Sequence, residues 1–209
     1  MMTDPWKYEH EAMSAGYRAV CGCDEAGAGP LAGPVCAAAV IFRPGDAPDG
    51  LDDSKKLSEK RRAALAGAIR ERALAWSVAS VSAEEIDRTD ILSARMLAMK
   101  RAMDGLSVRP DFALIDGDRD HGRHAAIGIP HRCVVGGDGL SASMAAASVL
   151  AKQARDEHMI RMDAIYPGYG FAKHKGYPTK AHYDALERLG PSPIHRRTFR
   201  LSRKKEGGA

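Results

Sequence analysis

The 209-residue chain has no long apolar run and few aromatic residues. No stretch approaches the roughly 20 apolar residues that cross a bilayer, so neither a membrane span nor a membrane partner is predicted. The N-terminal region carries early acids and lacks the apolar core of a secretory signal, and we therefore expect a cytoplasmic protein. Aromatic residues make up only 6%, which argues against the sugar-binding cleft of a glycoside hydrolase.

The cysteines do not form a metal-binding pattern. The chain has four cysteines, Cys21, Cys23, Cys36 and Cys133. Three of them lie in or beside apolar stretches typical of strands. No C-x2-C pair is present, and no cysteine–histidine spacing fits a zinc site. We expect small buried side chains in a reducing compartment.

The composition is that of one globular domain, with or without a small appendage. Hydrophobic residues make up 44% and charged residues 28%, which is enough to build a core. The net charge is +4, and from residue 195 onward six basic residues stand against one acid, Glu206. A basic C-terminus is often only solubilising, so it favours a polyanionic partner weakly.

Periodicity and turn residues predict an α/β domain with a mixed sheet. Strands are predicted at 18–24, 33–42, 76–82, 110–118 and 129–138, and helices at 58–73, 83–106, 141–165 and 179–189. Ser58 and Ser141 are the expected first residues of two helices, and Gly190 ends the last one. Helices fall between and after the strands, so we expect them to flank the sheet, with a small helical element after Tyr166.

Acidic residues follow three of the predicted strands. Asp24 and Glu25 come after the first, Asp116 after the run 112–115, and Asp138 after the run 133–137. Carboxylates at the ends of neighbouring strands can converge, and their mutual repulsion is best relieved by a cation between them. Oxygen-only ligands suit Mg²⁺ or Mn²⁺ rather than zinc, and two such ions about 4 Å apart can drive an in-line phosphodiester cut.

Asp24 and Glu25 are adjacent, and adjacent residues on a regular strand point to opposite faces of the sheet. They can serve one site only if the strand ends or bends there, which the glycines that follow permit. Any single acid is equally typical of a solvated turn or a helix cap. That is our interpretation of Asp111, Asp118 and Asp120.

The loop 27–34, Gly-Ala-Gly-Pro-Leu-Ala-Gly-Pro, is a candidate substrate loop. A dinucleotide-binding fingerprint would need a helix to open here, but Pro34 and the strand-like run after it do not fit one. Glycines instead let the backbone approach a ligand closely and offer it N–H groups. A phosphate or a 2′-hydroxyl is a suitable ligand.

The segment Lys173-His174-Lys175-Gly176-Tyr177-Pro178 combines basic residues with an aromatic ring. Such a combination suits a nucleic-acid strand, because cations neutralise phosphates and a ring stacks on a sugar or base. A solvated loop with a core tyrosine is the alternative.

Five motifs in order along the chain resemble those of the ribonuclease HII family, over roughly residues 18–200. They are CDEAGAGPLAGPV (23–35), DDSKKLS (52–58), LIDGDR (114–119), GGDGLSASMAAASVLAKQARDE (136–157) and YGFAKHKGYPTKAHYDALERLGPSPIHRRTF (169–199). The resemblance implies an α/β fold with a ribonuclease H-like mixed β-sheet flanked by helices and a small C-terminal helical element. The domains would be an N-terminal extension (1–17), a type 2 ribonuclease H domain (18–200, with its helical part at about 166–200) and a basic tail (201–209).

The resemblance also implies a function. Members of the family cut the RNA strand of RNA–DNA hybrids and cut on the 5′ side of ribonucleotides embedded in duplex DNA, leaving a 3′-hydroxyl and a 5′-phosphate. We therefore expect an endonuclease that removes ribonucleotides and primer RNA, acts as a monomer on these duplexes, and uses Mg²⁺ or Mn²⁺. The implied catalytic and metal-binding carboxylates are Asp24, Glu25, Asp116 and Asp138.

The implied substrate-binding residues lie in the two loops. The backbone of Gly27, Ala28 and Gly29 falls where the family reads the 2′-hydroxyl, and Tyr177 where a tyrosine packs on the sugar at the RNA–DNA junction. The family usually has Gly-Arg-Gly in the first loop, so Ala28 removes a guanidinium, at a cost of about 1–3 kcal/mol if it clamps a phosphate. The nearby cations expected to compensate are Lys55, Lys56 and Lys175.

The expected mechanism is two-metal hydrolysis, with Asp24 and Asp116 sharing the ions and Glu25 and Asp138 completing their coordination. The alternative is a non-catalytic nucleic-acid-binding domain of the same fold, which Ala28 favours slightly. The clustered acids argue against it, because a pure binder of polyanions gains nothing from them.

Overall fold

The computed structural model describes residues 4–51, 57–117, 127–137 and 140–203. The strands are β1 (Val20–Ala26), β2 (Val35–Ile41), β3 (Ala75–Val81), β4 (Phe112–Asp116) and β5 (His131–Val134). The helices are α1 (Lys7–Ser14), α2 (Glu59–Arg72), α3 (Ala83–Arg88), α4 (Ile91–Asp104), α5 (Ala142–Ile165), α6 (Phe171–His174) and α7 (Lys180–Leu189). The predicted mixed sheet with flanking helices is confirmed.

The sheet has the strand order β3-β2-β1-β4-β5. β1 pairs antiparallel with β2, and β2 pairs antiparallel with β3. β4 lies on the other side of β1 and pairs parallel with both β1 and β5. The carboxyl ends of β1, β4 and β5 therefore meet at one edge of the sheet, where the predicted carboxylates follow the strands.

Helices cover both faces of the sheet. On one face Cys23 of β1 packs in a buried cluster with Met99 of α4. On the other face Val40 of β2 packs with Leu150 of α5 and with apolar residues of α2. The methionines of α4 are buried core side chains, and the four cysteines are free, as the sequence predicts.

The single helix predicted at 83–106 is wrong, because the chain forms α3 and α4 with a break between them. Ser82 and Glu85 start α3 with a reciprocal capping box, and α3 ends at Arg88. Asp90 then starts α4 by accepting hydrogen bonds from the N–H groups of Leu92 and Ser93, at 2.8 and 2.9 Å. The Asp90 side chain stabilises the start of a new helix, and this competes with the continuation of α3 through the same residues.

Helix α1, near the start of the chain, is held against the start of α5. The carboxylate of Glu9 is buried and accepts hydrogen bonds from the Ser141 hydroxyl at 2.6 Å and from the Ser143 N–H at 3.0 Å. The Ala142 N–H donates to the carbonyl of Pro5 at 2.7 Å. These contacts satisfy N–H groups that the first turn of α5 leaves open.

The segment after α5 forms the helical element expected after Tyr166. α6 and α7 pack on the rest of the chain through a buried cluster that includes Met159 of α5 and Phe171 of α6. None of the helices in the described ranges is long and apolar enough to span a membrane.

Candidate active site

Asp24 lies near the carboxyl end of β1, the strand at the centre of the sheet. Its side chain is only 6% exposed and lies on the α5 face, where it is hydrogen-bonded to Ser148. It also accepts a hydrogen bond from the N–H of Glu25 at 2.7 Å. A small hydroxyl on the long helix α5 therefore fixes a carboxylate on the sheet.

Glu25 lies on the opposite face, towards α4. β1 stays paired with β2 through Glu25 and Ala26, so the strand does not end between the two acids. Arg95 of α4 forms an ion pair with Glu25, with 2.6 Å between Nη2 and Oε1, and both side chains are largely buried. The second carboxylate oxygen of Glu25 is buried without a hydrogen-bond partner in the described part of the chain.

Asp116 ends β4, the parallel neighbour of β1. Cys23 is in register with Ile115, so Asp116 lies beside Asp24 one residue further along both strands. The carboxylate of Asp116 accepts a hydrogen bond from the Gly137 N–H at 3.1 Å, just after β5. Asp138, the fourth predicted carboxylate, lies outside the described residues.

Electrostatics couple the three described carboxylates. Burial raises the pKa of Asp24 from 3.8 to about 8, and the charges of Glu25 and Asp116 add to this shift. Burial also raises the pKa of Glu25, while the ion pair with Arg95 opposes the rise. Without a cation, the site therefore disfavours full ionisation of its own acids.

In the described ranges, no three Asp, Glu, His or Cys side chains are grouped closely enough to hold a metal ion. The alternation of side chains along β1 explains this, because Glu25 faces Arg95 while Asp24 faces α5. Asp24 and Asp116 are the predicted ligands that the structure brings side by side.

The glycine loop after β1 is held by two buried arginines that sequence reasoning did not single out. Arg196 donates to the carbonyls of Gly27, Ala28 and Gly33, at 2.6, 2.9 and 3.0 Å. Arg155 of α5 donates to further carbonyls of the loop and of its neighbours: Pro34 at 3.2 Å, Ala32 at 3.3 Å and Lys175 at 2.9 Å.

Gly29 and Tyr177 form the exposed part of this region. Gly29 is exposed, and a Cβ built on it would meet nothing closer than the Tyr177 ring at 4.0 Å. Tyr177 is 41% exposed, and the Arg155 guanidinium lies 5.6 Å from its ring centroid. The two loops are joined where the Leu31 N–H donates to the Gly176 carbonyl at 2.8 Å. The structure thus brings together the predicted loop and the predicted aromatic ring.

Of the three predicted lysines, the structure describes Lys175. Lys175 is buried at 8% exposure, and its ammonium forms an ion pair with Glu59 at 3.1 Å. Lys55 and Lys56 lie outside the described residues. Arg196 belongs to the basic C-terminal region of the sequence, yet it is fully buried. No local sequence pattern distinguishes it from Arg197 beside it.

A mixed sheet with carboxylates near the ends of its parallel strands, beside a glycine loop and an exposed tyrosine, fits a nuclease with a ribonuclease H-like fold. A model of the family described as Ribonuclease HII matches residues 21–202. The chain belongs to the ribonuclease HII family. It is a ribonuclease H enzyme, an endonuclease that acts on RNA–DNA hybrids.

Named relatives and solved structures agree with this assignment. Ribonuclease HII of Laribacter hongkongensis is 60% identical over 182 residues, which cover 87% of this chain and 91% of the relative. Ribonuclease HII of Dechloromonas aromatica is 59% identical over 180 residues, with 86% and 90% covered. The crystal structure of ribonuclease H2 from Pyrococcus horikoshii OT3 is similar, with a TM-score of 0.74, 25% identity, and coverage of 90% and 96%.

Proposed function

We propose that this enzyme hydrolyses the RNA strand of RNA–DNA hybrids and also cuts on the 5′ side of single ribonucleotides embedded in duplex DNA. The products would carry a 3′-hydroxyl and a 5′-phosphate, and the cellular role would be the removal of ribonucleotides and primer RNA. The observation that carries the proposal is the pair Asp24 and Asp116, placed side by side at the ends of parallel strands. Monomeric state and cytoplasmic location stay predictions.

The donor set fits hard divalent cations. The described candidates are carboxylates only, and one oxygen of Glu25 is buried without a hydrogen-bond partner. The raised pKa of Asp24 reflects charge that a bound cation would neutralise. Mg²⁺ or Mn²⁺ is the proposed ion, held by Asp24, Glu25, Asp116 and Asp138. When bound, such ions supply Lewis acidity at the attacking water and at the leaving oxygen.

The protein's own groups prepare this site. Ser148 holds the carboxylate of Asp24 on the α5 face, and the Gly137 N–H holds that of Asp116. Both carboxylates are thereby fixed before substrate arrives, so little reorganisation is needed during the reaction. Glu25 is held by Arg95 on the other face of the sheet. Its carboxylate would reach an ion shared with Asp24 only by extending past the carboxyl end of β1.

The substrate side of the proposal rests on Gly29 and Tyr177. Among the described residues, a Cβ at position 29 would meet only the Tyr177 ring, at an ordinary contact distance of 4.0 Å. A closely approaching ligand therefore explains the small size of this residue. The exposed ring of Tyr177 offers a stacking surface for a sugar or base next to that glycine. Backbone N–H groups that contact a 2′-hydroxyl would distinguish RNA from DNA.

The test compares cleavage of a duplex containing one ribonucleotide, an RNA–DNA hybrid, and an all-DNA duplex of the same sequence, with and without Mg²⁺. Asp24→Asn should lower the cleavage rate at least about a thousandfold, because it removes a charged ligand, while leaving duplex binding largely intact. Asp104→Asn, an exposed acid paired with Lys100, is the matched control and should keep full activity.

Full activity of Asp24→Asn would refute the carboxylate assignment. Binding without any Mg²⁺-dependent cleavage by the parent would instead favour the non-catalytic domain that Ala28 slightly supports. Cleavage of the hybrid alone would remove embedded ribonucleotides from the proposed substrates.

A further inference from the structure

Two arginines lie beneath the glycine loop, and neither is exposed to solvent. Arg155 and Arg196 are both 0% exposed. Together they donate hydrogen bonds to six backbone carbonyls, of which five belong to the segment 27–34. Buried guanidiniums bonded almost wholly to one loop determine the shape of that loop.

The described residues give neither arginine a carboxylate partner at ion-pair distance. Asp156, one residue from Arg155, is taken by Arg62 at 2.8 Å and Lys152 at 2.6 Å. Asp87 accepts from the backbone N–H groups that follow Arg196, at 2.8 and 3.0 Å. Burial and the charge of Arg155 lower the pKa of Arg196 to about 9, so it remains charged at neutral pH. Two buried positive charges without a paired anion are costly to keep unless an anion comes to them.

The loop turns its carbonyls towards these arginines. The carbonyls of Gly27 and Ala28 are bound to Arg196. Among the described residues, no acceptor is seen for the N–H groups of Ala28 and Gly29. Gly27 has a positive φ of 104°, and a Cβ there would lie 2.1 Å from the Nε of Arg155. The loop therefore rests directly on the guanidinium and leaves its exposed end to a ligand.

We propose that Arg155 and Arg196 are positioning residues that preset the Gly27–Gly29 backbone and attract, through it, the phosphate next to the recognised ribonucleotide. In this chain they take over the charge that the family's loop arginine would bring and that Ala28 lacks. Lys175 does not fill this role, since its ammonium is turned to Glu59. The inference rests on the proposed function, because it concerns how the same substrate is held.

Two substitutions of Arg196 test separately its positive charge and its ability to hold the loop carbonyls. Arg196→Lys keeps the charge but cannot hold three carbonyls, whereas Arg196→Met keeps much of the apolar volume and removes the charge. Both are made in an Asp24→Asn background, so that the duplex stays uncut in Mg²⁺. The dissociation constants for a duplex with one ribonucleotide and for its all-DNA counterpart are measured by fluorescence anisotropy over a series of salt concentrations.

Arg196→Met should weaken binding of the ribonucleotide duplex at least about tenfold and flatten the dependence of log Kd on log salt. Arg196→Lys should keep the salt dependence but lose most of the preference for the ribonucleotide. Arg62→Met is the matched control, since Arg62 is also buried but pairs with Asp156, and the described residues show no hydrogen bond from it to the loop. It should change neither quantity.

The inference is overturned if folded Arg196 variants keep both the preference for the ribonucleotide duplex and the dependence of log Kd on log salt. It is also overturned if Arg62→Met loses as much affinity and as much salt dependence as Arg196→Met. If Arg196 cannot be replaced without unfolding the protein, the affinity of Ala28→Arg for the ribonucleotide duplex is measured instead. A gain below about twofold in affinity supports the buried pair as the source of charge, and a gain of about tenfold or more refutes it. A parent that cleaves the hybrid but never prefers a ribonucleotide would refute the proposed substrate itself.

Discussion

The raised pKa of Asp24 predicts that Asp24→Asn stabilises the metal-free protein while abolishing cleavage. The folded carboxyl keeps its proton to about pH 8, whereas the unfolded one loses it near 3.8. The folded state therefore binds more protons between these values, and the free energy of unfolding falls as the pH rises through that window. Asparagine has no proton to lose and removes this dependence.

The magnitude follows from the same two values. A shift from 3.8 to about 8 corresponds to an upper limit of about 6 kcal/mol when the pH is above both. Asparagine forms a weaker hydrogen bond with Ser148 than a carboxylate does, which subtracts about 1 kcal/mol. We expect Asp24→Asn to exceed the parent by about 2–4 kcal/mol at about pH 8.5, and by little at about pH 4.

Urea unfolding in EDTA at several pH values measures this difference. Addition of Mg²⁺ should then stabilise the parent more than Asp24→Asn, because a cation relieves the repulsion only where the charge is present. Asp104→Asn, at an exposed position away from the site, should gain as much stability from Mg²⁺ as the parent does. Equal stability of parent and Asp24→Asn at high pH without metal would refute the electrostatic reasoning.

Three further substitutions test the surroundings of the site. Arg95→Met should leave the buried carboxylate of Glu25 unpaired and lower the free energy of unfolding by about 1–3 kcal/mol, with the loss largest at high pH; a pH-independent loss would contradict this. Gly29→Val should leave the melting temperature nearly unchanged but raise KM about tenfold or more, because only a ligand needs the open space. Gly27→Val should instead unfold the loop, since its Cβ would meet Arg155 and its φ is 104°. Equal destabilisation by the two glycine variants would refute this distinction.

Much of the fold could be predicted because the signals are local. Ser58 and Ser141 start their helices as expected, with side chains that accept hydrogen bonds from the N–H groups of Arg61 and Met144. The strands follow runs of apolar residues bounded by glycine, proline and acids. The break at Asp90 was missed although aspartate favours helix starts, because the apolar spacing continues across it.

The site could be predicted only in part, because its supporting contacts are distant in sequence. Arg155 reaches the Pro34 carbonyl across 121 residues, and Arg196 reaches the Gly27 carbonyl across 169. Neither arginine differs in local pattern from a solvated one, so only the tertiary structure distinguishes them. Arg95 was hidden in the same way within the methionine-rich helix α4. The roles of Asp24, Glu25 and Asp116 stay predictions that cleavage assays must test.

Helix α5 carries both Ser148, which holds Asp24, and Arg155, which supports the glycine loop. The two lie seven residues apart on one continuous helix, a rise of about 10 Å over two turns. On the proposed function, this helix sets a fixed distance between the loop proposed to recognise the sugar and the carboxylate proposed to act in cleavage. The cut should therefore fall at a constant distance from the recognised ribose in any base sequence. One residue inserted between the two positions would rotate Arg155 by about 100° relative to Ser148, and would uncouple recognition of the ribose from cleavage.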